Sequence, residues 1–283
     1  MSKDAENTEN EKKSDKQSSK PAIILAVCIL GIALLLQGGY YLRIDLSRTV
    51  EIGPFATRRY GTVQAVSSDT PYIDTKISVP EGYTRAQVYR YYKEIALTDE
   101  TLEHKDTARK WVSTVRFYAE GDVDALVDEI LQNLFEKMNA VEGFPGITRV
   151  YNKEDANMIG YFYDDETFYV RVREYGGNKF TNGMSYLEND DQDFTIKSGF
   201  IMVRNGMSDV RRRSVISEEL IQSMGLQNDS NTYPDSLFYD EYNEVAEPNS
   251  LDWTIFRIHY HPLIQSGMNS NQCIPLLSII VDH

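Results

Sequence analysis

The sequence predicts an α+β domain with a mixed, twisted sheet, carried behind a single transmembrane helix. Residues 21–42 form an uncharged, largely apolar run. Later stretches repeat apolar residues at helical spacing and stop at glycine or proline, and between them lie short β-branched and aromatic runs separated by Gly, Asn and Asp. A strand, a helix, several strands and then a helix crossing beneath the sheet describe packed layers around one core. The expected organisation is a disordered cytoplasmic tail over 1–20, the span over 21–42, an irregular stalk over 43–85 and the folded extracytoplasmic domain over 86–283.

Residues 1–20 are rich in Lys, Glu, Asp, Ser and Asn and have no apolar period, so they lack the surface needed to offset the entropy of ordering. A bilayer core needs roughly 20 apolar helical residues, and the run 21–42 supplies that length. Tyr40 and Tyr41 fall at the far interface and Lys20 at the near one. A cleaved signal peptide would have a shorter leader and a small-x-small site after its apolar run, so an uncleaved anchor is the expectation. Leu25, Ala26, Val27 and Cys28 depart from a lipoprotein box at Val27, which is bulky where a small residue is needed. Arg43, Arg48, Arg58 and Arg59 weaken the charge asymmetry that sets orientation. A short tail is nonetheless easier to retain inside than a large domain. The expected location is therefore the cell membrane, single-pass, with the N-terminus cytoplasmic.

The chain has 283 residues and a formal charge of -14. Lys3, Lys12, Lys13, Lys16 and Lys20 offset Asp4, Glu6, Glu9, Glu11 and Asp15, so the whole excess lies beyond the span. Such a domain is repelled by phosphate backbones, which argues against nucleic acid as a partner. Cys28 lies in the apolar run and Cys273 near the C-terminus, so no disulfide staples the domain internally.

The segment 84–97 fits either a helix or an extended chain. The run 111–118 is β-branched and aromatic and predicts a strand. Asp122 is the expected cap of a helix whose apolar residues are Val123, Leu126, Val127, Ile130, Leu131, Leu134, Phe135 and Met138, ended by Gly143 and Pro145. Strands are expected over 147–151, 158–163, 168–173 and 194–203. A second helix is expected over 208–224 with Gly225 as its stop, and a third over 251–259 before Pro262. A last apolar stretch, 274–281, closes the chain.

The second helix carries the pattern that bears on chemistry. Its spacing matches the H-E-x-x-H-x-x-G-x-x-H/D helix of metzincin metalloproteases, in which histidines one turn apart hold zinc and the Glu acts as general base. Glu218 stands at the first ligand position, Glu219 at the base, Gln222 at the second ligand, Gly225 at the turn and Asn228 at the third ligand, followed by Asp229. The Glu and Gly match while all three ligands differ, and neutral amides are feeble zinc ligands, so no metal and no cofactor are expected. Ser236, Leu237, Phe238 and Tyr239 stand where a methionine turn would follow, without its methionine. His104, His259, His261 and His283 lack the helical spacing of a ligand pair, and Asp229, Asp235 and Asp240 lack the loop of a calcium site. Glu219 is thus either a general base or a structural acceptor tying the segment around Tyr239 to the helix.

Taken together, Glu94, Lys110, Trp111, the Phe144, Pro145, Gly146, Ile147 turn, the segment from Glu218 to Leu226, Asn228, Asp229, Ser236, Tyr239 and Met268 resemble the bacterial family known as domain of unknown function 2927. The resemblance covers about residues 86–270, and Glu218, Glu219, Gln222, Gly225 and Leu226 are its most specific part. It implies an exported or lipid-anchored protein with a zincin-like outline and brings no activity with it. The expected function is a non-catalytic binding or structural module of the cell envelope, whose cleft takes a peptide or envelope polymer, or which contacts a neighbouring membrane protein. The alternative is a divergent metallohydrolase with Glu219 as general base.

Overall fold

A computed structural model of the chain describes residues 41–45, 49–51, 57–59, 62–66, 76–98, 106–240 and 245–282. The expected tail lies outside these residues, and so does the expected span except for Tyr41 and Leu42. No described helix is long and apolar enough to cross a membrane. The chain divides into two compact units, 1–74 and 75–283.

In the first unit, part of which the sequence predicts as an irregular stalk, the described residues form two antiparallel pairs. Strand β1 (Tyr41–Asp45) pairs with β4 (Thr62–Val66), and β2 (Thr49–Glu51) pairs with β3 (Thr57–Arg59).

The second unit opens with α1 (Arg85–Leu97), so the segment that the sequence left undecided is helical. Thr84 and Gln87 form a reciprocal capping box, and Val88, Tyr91, Tyr92 and Ile95 fall on one buried face at helical spacing. Strands β5 (Lys110–Trp111) and β6 (Val115–Gly121) precede α2 (Ala125–Asn139), which is followed by β7 (Ile147–Arg149) and β8 (Met158–Tyr163). Helix α3 (Asp165–Arg173) leads to β9 (Gly183–Asn189), β10 (Thr195–Arg204) and α4 (Asp209–Gln222), and the unit ends with α5 (Ser250–Tyr260) and α6 (Ser270–Ile280).

The sheet runs β7-β6-β8-β10-β9, parallel throughout except for the antiparallel β9. It is thus a mixed α/β arrangement with a mostly parallel sheet. Ile196 pairs with both Trp111 and Asn189, so β5 and β9 flank the start of β10 on opposite sides. One face of the sheet presents Val115, Phe117, Met158, Phe162, Ile201 and Val203 to the main core, where they meet Val127, Leu131 and Leu134 of α2 and Val215, Ile216 and Leu220 of α4. A methyl group at Gly160 would lie 2.4 Å from the Phe117 ring, so glycine is what leaves that ring its place against the strand.

Three expectations are corrected. The run 111–118 is not one strand: Lys110–Trp111 pairs with β10, whereas the chain from Val115 onward pairs with β8 and β7, and 112–114 carry it from one set of partners to the other. The cap of α2 is Asp124, whose carboxylate accepts from Val127 N at 3.0 Å, because Asp122 is still held at the strand end by its N–H to Phe162 O. The stretch 168–173 is helical. Asp164 caps α3, acidic Asp165 and Glu166 open it, basic Arg171 and Arg173 close it, and the buried pair Phe168 and Val172 is one turn apart. Its alternating Phe, Val and Arg also fit a strand, and the caps decided otherwise. Strand β9 was not anticipated, because Gly183 and its polar neighbours carry little β signal.

Candidate functional site

Helix α4 begins at Ser208, whose hydroxyl accepts from Arg211 N, and buries Val215, Ile216, Leu220 and Ile221 in the core. Glu219 shares the helix with them and is only 8% exposed. Its side chain lies against edge strand β9. A methyl group built on Gly183 would sit 2.6 Å from Glu219 Oε1 and 2.4 Å from Val215 Cγ1. Only a residue without Cβ lets strand and helix approach so closely there. Among the described residues β9 pairs only with β10. Glu218, one position earlier, is half-buried.

The end of the helix is tied down by its own polar residues. Gln222 Nε2 donates to Asp229 Oδ1 at 2.5 Å, which joins the last turn to the segment beyond Gly225. Asn228 donates through Nδ2 to Asp229 O at 2.8 Å and through its backbone N to Ile95 O of α1. Gly225 has φ +101°, and a Cβ there would meet Arg109 O at 2.0 Å, so the turn requires glycine on both counts. The same Arg109 carbonyl accepts from His259 Nε2 at 2.8 Å. Burial, assisted by Lys110, pushes the His259 pKa down to about 3, so the ring is neutral. The indole of Trp111 donates to Ser223 O at 2.9 Å and the Tyr260 hydroxyl to Met224 O at 2.7 Å. Lys110 is buried over the Tyr260 ring and donates to Ile264 O at 2.6 Å; burial lowers its pKa to about 7.

Ser236 belongs to a second centre. Its hydroxyl donates to Asp252 Oδ1 at 2.6 Å and accepts from the Tyr91 hydroxyl at 2.6 Å and from Phe238 N at 3.1 Å. Asp252 Oδ2 accepts from Leu237 N at 3.0 Å and from Asn249 N at 2.9 Å. Asp252 is also the N3 residue of the capping box that starts α5. Burial pushes its pKa up to about 6, against the pull of these donors. Leu237 and Phe238, in the place of the absent methionine, are buried in the core, while Tyr239 is half-buried and bridges to Ser230.

Of the residues singled out in the sequence, the fold therefore brings Gln222, Asn228 and Asp229 into one hydrogen-bonded cluster at the helix end. Glu219 faces the edge strand, and Ser236 sits in the separate Tyr91–Ser236–Asp252 chain. Among the described residues no group of three or more His, Cys, Asp or Glu side chains is placed to hold a metal ion. Sequence reasoning missed Asp252, Tyr91 and Gly183. Asn249 and Asp252, three residues apart before an apolar helical run, carry a capping signature that points to the first of these; nothing local marks the other two.

The family model described as protein of unknown function (DUF2927) matches residues 85–279, from the first residue of α1 into α6. None of the curated proteins matches the chain.

Proposed function

The chain belongs to the DUF2927 family, and on that premise we propose that its folded domain is a zincin-like module that binds an extended peptide without cleaving it. The peptide adds to the edge of β9 that β10 leaves open among the described residues, on the strand against which Glu219 of α4 packs. Residues 21–42 anchor the module in the cell membrane with the domain outside and the tail in the cytoplasm, so the peptide belongs to the envelope or to a neighbouring membrane protein.

The observation that carries this reading is the approach of Glu219 to Gly183 on an antiparallel edge strand. An exposed edge supplies regularly spaced backbone donors and acceptors for strand addition, and a carboxylate beside it selects a basic or hydrogen-bond-donating residue. Gln222 and Asp229, which a zinc site would need free, are spent on each other. The competing reading is a divergent metallohydrolase with Glu219 as general base, favoured by the glutamate and glycine that keep the protease spacing.

Metal analysis of the untagged protein purified without chelator separates the two. Metal-free, folded protein supports the binding module; stoichiometric zinc or another transition metal overturns it. Glu219→Gln extends the test: a binding module retains the ability to protect β9 amides from exchange when peptide is added, with altered sequence preference, whereas a hydrolase loses turnover altogether.

A further inference from the structure

The parallel strands of the second unit are left in two directions. From β6 the chain returns through α2, on the face of the main core, to β7 on one side. From β8 it continues through α3, whose Phe168 and Val172 form a separate cluster with Met202, to β9 and β10 on the other side. Neighbouring parallel strands whose connections part in this way open a crevice outside their carboxyl ends, where α/β sheets bind ligands. Here that crevice is a cavity of about 390 Å³ lined by Asp122, Val123, Asp124, Asn205 and Arg212. Asp122 N donates to Phe162 O at 2.8 Å, Asn205 N to Tyr163 O at 2.7 Å and Asn205 Nδ2 to Asp122 O at 2.8 Å. The segments after β6 and β10 are therefore bonded to the end of β8 and to each other. The Arg212 side chain, 8% exposed, donates through both terminal nitrogens to the Asp124 carboxylate at 2.8 Å. Two polar atoms of this lining are buried without a hydrogen-bond partner among the described residues, Asn205 Oδ1 and Arg212 Nε.

We propose that this crevice binds a primary ammonium group with a carbonyl oxygen beside it, the chemistry of a peptide N-terminus or an amino-acid amide, independently of strand addition at β9. Charge sets the sign of the ligand. Asp122 and Asp124 outnumber Arg212, whose fork is held by Asp124, and Asp209 adds a third carboxylate 3.9 Å from Arg212. An anion is repelled there, and the N-termini of α2 and α4, which would otherwise attract one, are already capped by Asp124 and Ser208. Among the described residues no three acidic, His or Cys side chains converge as a bare metal ion would need. A quaternary ammonium needs aromatic walls, and this lining has none. A hydrogen-bonding organic cation is what remains. A primary ammonium brings three donors, and the Asp122 carboxylate and the unpaired Asn205 Oδ1 are acceptors for them. The unpaired Arg212 Nε–H is the one donor left over, and it takes the oxygen of the ligand. A neutral carbonyl suits that position better than a carboxylate, because Asp124 already stands on the same guanidinium. Capture of an N-terminal amine by such a group of acceptors is an established mode of peptide recognition.

The test is calorimetric titration of the full-length chain, purified in mild detergent, with alaninamide, trialanine and the N-acetylated form of each. Binding of at least one amine is expected, with its acetylated form about tenfold weaker or more, since acetylation removes the charge and two of the three donors. Alaninamide bound as tightly as trialanine assigns the crevice to a small amino compound; trialanine bound more tightly, or alone, assigns it to a peptide N-terminus. Asp122→Asn should weaken whichever ligand binds by about tenfold, the loss of one charge-assisted hydrogen bond. Asp122 is exposed and joined to the fold through its backbone N and O, so an unchanged circular-dichroism melt is expected to accompany that loss. The same variant separates the crevice from β9, because a peptide added to the strand edge does not meet Asp122. No binding of either amine overturns the proposal. So does equal binding of the acetylated forms, or binding that Asp122→Asn leaves unchanged.

Discussion

Two buried carboxylates on helices, Glu219 near the end of α4 and Asp252 at the start of α5, look alike in the sequence and differ in their surroundings. Asp252 is enclosed by donors from Ser236, Leu237 and Asn249 and is 1% exposed. Glu219 is pressed against an edge strand at the one place where that strand lacks a Cβ. The first carboxylate is consumed by the fold, because it fixes the 230–240 segment and the start of α5 at once. The second packs into the seam where α4 approaches β9 at Gly183. Burial alone therefore does not mark a functional acid; what distinguishes the two is what each carboxylate is packed against.

The contrast is broken or sharpened by substitutions on each side. Asp252→Ala is expected to have the largest effect, about 3 kcal/mol lost in urea or guanidinium unfolding, because the donors around it lose their acceptor in a dry site. Its ionisation sets a second signature of similar size. The folded pKa is raised from 3.8 to about 6, so the proton stabilises the fold. That contribution is complete below the unfolded pKa and is lost as pH rises through the folded one, about 3 kcal/mol in all. The parent chain should accordingly lose stability between about pH 4 and pH 7, and Asp252→Ala should lack that slope.

Gly183→Ala comes next. The added methyl must displace Glu219 and Val215, and a cost of about 2 kcal/mol in the same unfolding assay is expected, together with loss of peptide binding at β9. Gln222→Ala removes one hydrogen bond to Asp229 and should cost about 1 kcal/mol. Glu219→Gln, nearly isosteric, should cost no more than about 1 kcal/mol while altering which peptide is bound. If Glu219→Gln proves more destabilising than Asp252→Ala, Glu219 is a structural acceptor and the β9 edge loses its proposed ligand group.

Much of the fold was legible because its signals are local. Strand 158–163, helix 208–224 with its Gly225 stop and the helix near 251–259 agree with observed elements to within one or two residues, since caps, glycine and apolar spacing act within a turn or two. The misreading of 168–173 has the same origin: its alternation fits both periods, and only the Asp164 cap and the charges at the two ends select the helix. For the candidate site, the spacing from Glu218 to Asp229 reads as a zinc-ligand pattern with its ligands replaced, and spacing alone does not say which of these side chains meet. Gln222 and Asp229 at a ligand-like interval read as a degraded metal site, whereas in space they bond to one another.

The sequence by itself determined where the helices α2, α4 and α5 form, that the domain is strongly acidic, and that the helix of α4 departs from a zinc-binding pattern at every ligand position. Only the tertiary structure decided that Ser236 serves Asp252 and Tyr91, that Glu219 faces Gly183, and that Asp122, Asn205 and Arg212 line one crevice. The reason is reach. Helical period and capping are written within a few neighbouring residues, while these contacts join residues tens of positions apart, and their pairing is fixed by strand register and by which chain segments the core brings together.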